Sequence, residues 1–505
     1  MSNPTKFTKI LIANRGEIAR RLCAACRQLN IPSVAIYSEA DADAAWLDLA
    51  DEAFPLPGVT ATESYLNQDA IFAIAQQAGA NAIHPGYGFL SENANFAAAC
   101  ADHNITFIGP SPAAMNSMGS KATARAIAQE AGVPIVPGLD GAGHDDQTLK
   151  QAADDIGYPV LIKASAGGGG KGMRVVNNSD DFADALQAAR SEAQNSFGDA
   201  HVIIEKYFTA VHHVEIQILA DHHGTTLHLF ERECSLQRRH QKIVEESPAP
   251  ILPNDDVRQA MAQAAVSLAQ QVGYVSAGTV EFIATPAGDF YFLEMNTRLQ
   301  VEHPVTELTT GLDIATWQIR IAAGEPLPYT QADIQQRGHA IECRLYAEDP
   351  ANMFLPSIGD IVYYKPAHGP NIRMDDGIAT GSAVTPYYDP MLAKLVTWGA
   401  TRDEAINKMR QALRQTAVVG VTTNIPYLLD IFDQPEFLAG RTSTNYLAEK
   451  MPDWQPAPEA SAEDWLAAAA WEILRRDTSG ATTTTTTAPY ADPDPWNIAN
   501  GWRNV

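Results

Sequence analysis

Between residues 8 and 110 the chain alternates short apolar runs with longer stretches of helical spacing. This pattern restricts the fold more than any other feature of the sequence. "KILIAN" reads as a strand and "GEIARRLCAACRQLN" as a helix. "PSVAIYS", "NAIHPG" and "ITFIGP" read as further strands, separated by the helical stretches "QDAIFAIAQQAG" and "ENANFAAACADHN". Strand–helix alternation predicts a parallel sheet covered on both faces.

Beyond this region the pattern changes. Residues 111 to 135 read as helical, and residues 136 to about 210 as a small α+β unit containing a glycine-rich loop. Residues 211 to 330 carry longer strands, "HHVEIQILAD", "TLHLFERECSLQ", "AGTVEFIAT" and "FYFLEMN". Residues 335 to 447 form a further α+β segment, followed by "PDWQPAPEAS", a short helix "WLAAAAWEILRR" and a threonine-rich stretch that reads as a linker. No internal repeat is visible. A chain of 505 residues has room for two to four domains with substantial cores. Its formal net charge of −25 argues against broad binding to nucleic acid or anionic membranes, so a phosphate site must be locally basic. No apolar run reaches the length of a membrane span and the N-terminus lacks a signal peptide's apolar stretch, so a cytoplasmic protein is expected. Five scattered cysteines suggest no disulfide framework; Ile18, Leu22, Cys26 and Leu29 follow helical spacing, and Cys23 and Cys26 read as core thiols.

The glycine-rich loop is "KASAGGGGKGMR", residues 163 to 174. It fails the pattern of a Walker A loop, because Gly170-Lys171 is followed by Gly172 and the earlier glycine position holds Ser165. It meets the dinucleotide fingerprint formally, but "MRVV" after it reads as a strand, so no helix opens there. The expectation is strand, loop, strand: a flap whose bare backbone N–H groups can approach phosphate oxygens, with Lys163 adding a positive charge.

"FYFLEMNTRLQVEHP" carries the densest chemistry. If the chain stays extended, Glu294, Asn296, Arg298, Gln300 and Glu302 share one face, and Pro304 ends the run. A hairpin with a two- or four-residue loop at residues 286 to 288 brings Glu281 to the same face as Glu294. Two carboxylates and an amide oxygen suit Mg²⁺, a hard cation that takes oxygen ligands. Arg298 offers a planar fork for a carboxylate-like anion, and Glu302 a general base acting on it. "ERECSLQRRHQKIVEE" gathers Arg238, Arg239, His240 and Lys242. It reads either as a basic site or as a surface ion-pair belt with Glu231, Glu233, Glu245 and Glu246. "HPGYGFLSEN" reads as a Pro/Gly turn entering a helix. The histidines at 212, 213, 222 and 223 lack metal-ligand spacing, and most read as non-ligands.

Together with "KILIANRGEIA", "MGSKATAR", "VEIQILAD", "QVEHPVTE" and "ECRLYAEDP", these strings resemble the biotin carboxylase component of biotin-dependent carboxylases, over about residues 7 to 450. The resemblance implies α/β and α+β architecture. It places an N-terminal parallel-sheet, Rossmann-like domain at 1–120 and an ATP-grasp domain at 121–334 with a lid at about 137–208. A C-terminal α+β domain follows at 335–450, and 451–505 lead into a following domain. It implies ATP contacts from Lys121, Lys163, Gly169, Gly170, Glu205, Lys206, Phe208, His213, Gln237 and His240, and Mg²⁺ (or Mn²⁺) ligands Glu281, Glu294 and Asn296. It implies a bicarbonate pocket of Lys242, Arg298, Gln300 and Val301, Glu302 as the base, Arg344 against the biotin enolate, and Tyr87 bordering biotin.

No "AMKM"-type biotin attachment site occurs, so biotin is expected on a separate carrier domain or protein, with a carboxyltransferase as the other partner and pairing with a second copy. "DPWNIANGWRNV" resembles the segment that follows this region in acyl-CoA carboxylase α-chains of the methylcrotonyl-, propionyl- or acetyl-CoA type. The competing readings are another ATP-grasp carboxylate–amine ligase, and a catalytically silent nucleotide-binding subunit. The second expects losses among Glu302, Arg298 and Arg344, all of which are present.

Overall fold

The computed structural model describes residues 7–165, 173–209, 211–239, 241–457, 463 and 466–471. Contacts divide the chain into two units, Met1–Trp454 and Gln455–Val505. In the second, the described residues 466–471 are helical.

The first unit opens with the parallel sheet that the alternation predicts. Strands β1 (Ile10–Ile12), β2 (Ser33–Tyr37), β3 (Glu52–Pro55), β4 (Ala82–His84) and β5 (Thr106–Phe107) lie in the order β3-β2-β1-β4-β5, all parallel. Helices α1 (Gly16–Gln28), α2 (Gln68–Ala78) and α3 (Ala94–Asp102) are the crossovers. Leu11 opposes Val34 on one side and Ile83 on the other, and all three are buried. The edge strand β3 was not legible in the sequence. "EAFP" has no β-branched residue, and on an edge it is largely exposed. Helix α1 buries Ile18, Leu22, Cys23 and Cys26, and all five cysteines are buried and free.

Helices α4 (Pro112–Gly119) and α5 (Lys121–Glu130) follow. The hydroxyl of Ser120 accepts from the Thr123 N–H, and this cap makes Lys121 the first residue of α5. Next comes a small unit with its own core. Strands β6 (Gly138–Asp140), β7 (Val160–Ala164), β8 (Met173–Val176) and β9 (Val202–Lys206) form an antiparallel sheet in the order β6-β9-β7-β8, covered by α6 (Asp146–Ile156) and α7 (Phe182–Phe197). Leu149, Val160, Ile162, Phe182, Leu186 and Ile204 pack as a cluster of their own. The two strands flanking the glycine-rich loop pair as a hairpin, as expected, with Lys163 opposite Met173.

The site is built on an eight-stranded antiparallel sheet. Its strands are β10 (His212–Ala220), β11 (Thr226–Arg238), β12 (Gln241–Ser247), β13 (Ser276–Ala284), β14 (Phe290–Asn296), β15 (His339–Tyr346), β16 (Ile372–Asp376) and β17 (Met391–Gly399). Their order is β14-β13-β10-β11-β12-β15-β17-β16. Helices α8 (Asp255–Gln271), α9 (His303–Thr310), α10 (Ile314–Ala322), α11 (Arg402–Gln415) and α12 (Ile425–Phe432) also belong to the unit. Because β12 pairs with β15, hydrogen bonding runs without a break from residues 212–296 into residues 339–399. Among the described residues no helix is long and apolar enough to cross a membrane.

Candidate active site

Strand β10 shows why polar residues converge here. All nine of its residues are buried, yet alternate positions are His213, Glu215 and Gln217. Period-2 alternation puts Val214, Ile216 and Ile218 into the hydrophobic cluster against α8 and leaves the polar set on the other face. A buried carboxylate needs partners, and Glu215 has two cations. Its Oε1 accepts from Arg232 Nε at 2.6 Å and its Oε2 from Lys242 Nζ at 2.6 Å.

Lys242 is the centre of the site. Its Nζ donates to Glu215, to Glu281 Oε1 at 2.9 Å and to Glu302 Oε1 at 2.7 Å. Glu302 is fully buried, and its second oxygen accepts from Arg344 Nη2 at 2.9 Å. Burial alone would raise the Glu302 carboxyl. Lys242, Arg344 and Arg232 outweigh it and hold the group down at about 2. Arg344 is anchored from behind by Glu245 Oε1, which accepts from Nε at 2.6 Å. Its strand is pinned by Asn424, whose side chain donates to Arg344 O and accepts from the Tyr346 N–H, each at 2.9 Å.

Glu281 and Glu294 are direct cross-strand partners on β13 and β14. Asn296 Nδ2 and Gln300 Nε2 both donate to Glu281 Oε1, at 2.8 and 3.0 Å. Burial and the neighbouring Glu281 raise the Glu294 carboxyl, with Lys121 opposing. Two carboxylates that repel at close quarters, next to an amide, form a donor set that fits a hard divalent cation. His213 Nε2 lies 3.3 Å from Glu281 and 3.4 Å from Glu215. Burial would lower His213, but Glu281 and Glu215 outweigh it and lift the group to about 9, so the imidazole is held as a cation. His213, Glu215 and Glu281 lie close enough together to hold one ion only where the imidazole gives up its proton.

Arg298 is held by three side-chain acceptors, Glu92 Oε2 at 3.1 Å, Gln300 Oε1 at 2.8 Å and Asn296 Oδ1 at 2.9 Å, and by the Leu299 carbonyl at 3.3 Å. Val301 reaches the site through its carbonyl, which accepts from the buried Lys394 at 2.9 Å. The Lys394 ammonium also lies 5.9 Å from the Tyr87 ring centroid. In the small unit, Lys163 and Arg125 both pair with Glu205. Lys206 donates to the carbonyls of Gly157 and Tyr158, and Phe208 stacks on Tyr291 at 5.2 Å between centroids. Gln237 opposes Lys242 across the β11–β12 ribbon. Burial and the nearby Lys163 lower the Lys121 ammonium, so these two cations share a neighbourhood. Gly169, Gly170 and His240 lie outside the described residues.

Two expectations are corrected. The chain does not stay extended to Glu302. Strand β14 ends at Asn296, residues 297–302 turn, and Glu302 caps α9 with Pro304 inside its first turn. Pro304 therefore helps start a helix instead of ending a strand. The turn carries Glu302 back over the sheet to Lys242 and Arg344, where a straight strand would have taken it away. The surface ion-pair belt is also overturned. Glu231, Glu233, Glu245 and Glu246 are all buried, and they pair respectively with Arg258, His212, Arg344 and the pair His339 and Arg402. In addition, the hairpin loop is longer than expected, with Thr285–Asp289 between the strands. Residues that sequence reasoning did not single out for the site are Glu92, Glu215, Arg232 and Lys394. Only Glu215 had a usable signal, the polar alternation within an otherwise apolar strand.

Three family models match the chain: "Biotin carboxylase, N-terminal domain" over residues 6–115, "Carbamoyl-phosphate synthase L chain, ATP binding domain" over 120–330, and "Biotin carboxylase C-terminal domain" over 342–449. The chain is 51% identical over 444 residues to the biotin carboxylase of a Nostoc species, covering 88% of this chain and 99% of that protein. It is 47% identical over 472 residues to the α subunit of mouse mitochondrial methylcrotonoyl-CoA carboxylase, covering 93% of this chain and 66% of that subunit. Among solved structures, it resembles the biotin carboxylase domain dimer of the Hydrogenobacter thermophilus 2-oxoglutarate carboxylase, in complex with MgADP, ADP and bicarbonate. The TM-score is 0.84 and the identity 47%, covering 89% of this chain and 99% of that one. Fold, site and comparisons converge: this chain belongs to the biotin carboxylases, ATP-dependent ligases of the ATP-grasp fold.

Proposed function

We propose that the chain uses ATP and bicarbonate to carboxylate biotin borne on a carrier domain or protein, by way of carboxyphosphate, as the first half-reaction of an acyl-CoA carboxylase. The observation that carries this reading is the position of Glu302 between Lys242 and Arg344, one oxygen on each. In this state Glu302 is a poor base, because both cations hold its proton off. Bicarbonate entering the pocket would draw Lys242 and Arg298 towards its own oxygens. That loosens their hold on the carboxylates and raises the basicity of Glu302 where the proton must be removed. The deprotonated anion attacks the γ-phosphoryl group of ATP, giving carboxyphosphate and ADP. Carboxyphosphate then releases CO₂ and phosphate. Phosphate takes the ureido proton of biotin, and Arg344 holds the enolate that captures CO₂.

Lys121 and Lys163 would meet the phosphates. Glu205, Lys206 and Phe208 would flank the adenine. His213, Gln237 and His240 would add nucleotide contacts, and the loop with Gly169 and Gly170 would cover them within a lid at about 137–208. Gln300 and Val301 would complete the bicarbonate pocket, and Tyr87 would border biotin. Glu281, Glu294 and Asn296 would hold Mg²⁺, which neutralises charge developing on the transferred phosphoryl group. Domain limits at 120, 334 and 450 fit this division of labour. The partners are a biotin carrier, a carboxyltransferase and a second copy of this chain, in the cytoplasm. A solved relative at 47% identity acts in a 2-oxoglutarate carboxylase, so the acceptor is the finest part of the reading.

The test is ADP release from MgATP with bicarbonate and free biotin. Stimulation by biotin supports the reading. ATP turnover that needs an amine instead would indicate a carboxylate–amine ligase, and no turnover would indicate a silent nucleotide-binding subunit.

A further inference from the structure

Beside Arg344 lies a second pair of acids. Glu245 on β12 and Glu342 on β15 are cross-strand partners, and both are fully buried. They are not equivalent. Glu245 Oε1 accepts from Arg344 Nε at 2.6 Å. Among the described residues neither oxygen of Glu342 has a hydrogen-bond partner, nor does Glu245 Oε2. Two adjacent buried carboxylates repel, and each makes the other's charged form less favourable. Glu342 has no cation bonded to it and is pushed well above the usual carboxylate range by burial, with Glu245 and Glu302 adding to the effect and Lys394 opposing it. Glu245 is pushed only to about 7 by burial, against the pull of Arg344 and Lys242.

We infer that Glu245 is the positioning residue of this site. It clamps Arg344 Nε so that the guanidinium fork is aimed at Glu302 and the reacting biotin. The argument is geometric. Arg344 is a long side chain with few other side-chain anchors: Nε is taken by Glu245 and Nη2 by Glu302. When substrate draws Glu302 or Arg344 into the reaction, the bond to Glu302 changes. The bond to Glu245 lies outside the chemistry and can hold the guanidinium plane through the cycle. A preorganised donor of this kind needs a rigid support behind it. The support comes from paired strands: β12 and β15 are hydrogen-bonded neighbours in the middle of the eight-stranded sheet, and Asn424 fixes the backbone at Arg344. The other groups facing Glu245 are Lys242 on its own strand, Cys234 on β11, Cys343 on β15, and Glu302 ahead of α9. Lys242 and Glu302 are already paired with each other, and the two thiols are buried and free, so Arg344 remains the group that Glu245 serves.

This assignment rests on the function proposed above, and its test separates the two. The full chain and its Glu245→Ala, Glu245→Gln and Glu342→Gln variants are compared for biotin-dependent ADP release, with kcat and the KM for ATP measured separately. Glu245→Ala should lower kcat by about 10- to 100-fold, the cost of a misplaced catalytic group. Glu245→Gln keeps an acceptor for Nε and should recover to within roughly fivefold of wild type. Glu342→Gln replaces a neutral acid by a neutral amide and should stay within about twofold, as should the KM for ATP in all three. Wild-type kcat in Glu245→Ala overturns the assignment, and so does a loss in Glu342→Gln as large as in Glu245→Ala. A KM for ATP that rises as kcat falls also overturns it, because that marks a collapsed sheet. If Glu245→Ala does not fold, the isosteric pair decides: a loss in Glu245→Gln that exceeds that in Glu342→Gln supports the clamp, and equal effects overturn it. A wild-type chain with no biotin-dependent turnover defeats the proposed function itself, and the clamp with it.

Discussion

Glu281 and Glu294 face each other across the β13–β14 hairpin because β14 carries one extra residue. Near the turn Phe282 opposes Phe292, and the next pair is Glu281 with Glu294, so Leu293 has no partner and the register shifts by one. The bulge turns Leu293 outward, where it is exposed, and sets the two carboxylates side by side. The neighbouring Glu281 raises the Glu294 carboxyl, and a divalent cation held as proposed would offset that repulsion.

Replacing Glu294 with Gln removes that repulsion. The metal-free Glu294→Gln protein should therefore melt slightly higher than wild type, by on the order of 1–2 °C. It should lose most of the further stabilisation that wild type gains from MgATP. Thermal melts with and without MgATP, and with EDTA, check both halves. A variant that melts lower and still responds fully to MgATP would contradict the pairing.

Glu302→Gln should cut biotin-dependent ADP release by about 10²–10⁴-fold, the usual contribution of a positioned base. The KM for ATP should change little, since Glu302 bonds Lys242 and Arg344 and lies apart from Lys121 and Lys163, the groups assigned to phosphate. Steady-state kinetics at varied ATP separates the two effects.

Arg232 is fully buried and donates to Glu215, Gln217, Thr279 and Thr306 at 2.6 to 3.1 Å. Arg232→Met leaves Glu215 with less compensation in a dry sheet. It should lower unfolding stability by about 3–5 kcal/mol, the range for breaking one side of a buried ion pair. Urea denaturation of both proteins gives the difference.

Glu246 is bonded by His339 and Arg402. Burial would raise its carboxyl, but these partners outweigh burial and hold it at about 2, below the ordinary 4.5. The unfolded chain therefore takes up this proton first as the pH falls. The stabilisation is complete well above pH 4.5 and is lost as the pH drops towards 2. Between pH 6 and pH 3.5 this linkage should remove about 1.4 kcal/mol, and Glu246→Gln should lack that part of the loss. Urea midpoints across this range provide the measurement.

Free biotin should be carboxylated only weakly, because natural biotin arrives tethered at an effective concentration on the order of millimolar. A biotinylated carrier domain added in trans should lower the biotin concentration needed, as measured by radiolabelled bicarbonate fixed on biotin. Label in an acyl-CoA product would reveal a second active site.

Local pattern was enough to read much of this protein. The alternation over residues 8 to 110 dictated a parallel sheet, because apolar runs joined by helix-length segments can bury both faces only that way. The hairpin around the glycine-rich loop and the core thiols on α1 also followed from period and turn chemistry, whereas the Glu281–Glu294 pairing depended on the bulge in β14. Long-range contacts were decided elsewhere. Lys242 bonds Glu215, Glu281 and Glu302, which are 27, 39 and 60 residues away, and Arg344 bonds Glu245 99 residues away. The sequence of β12 alone could not tell whether its charges faced water or one another. Exposure was settled when β12 became an inner strand between β11 and β15. Burial then set the β12 acids Glu245 and Glu246 against cations, Arg344 for the first and Arg402 for the second. The turn at residues 297–302 is the clearest case. Alternation predicted a straight face, but helix α9 begins at His303, and the chain must bend to enter it. That bend, set by packing and not by strand period, places Glu302 between Lys242 and Arg344.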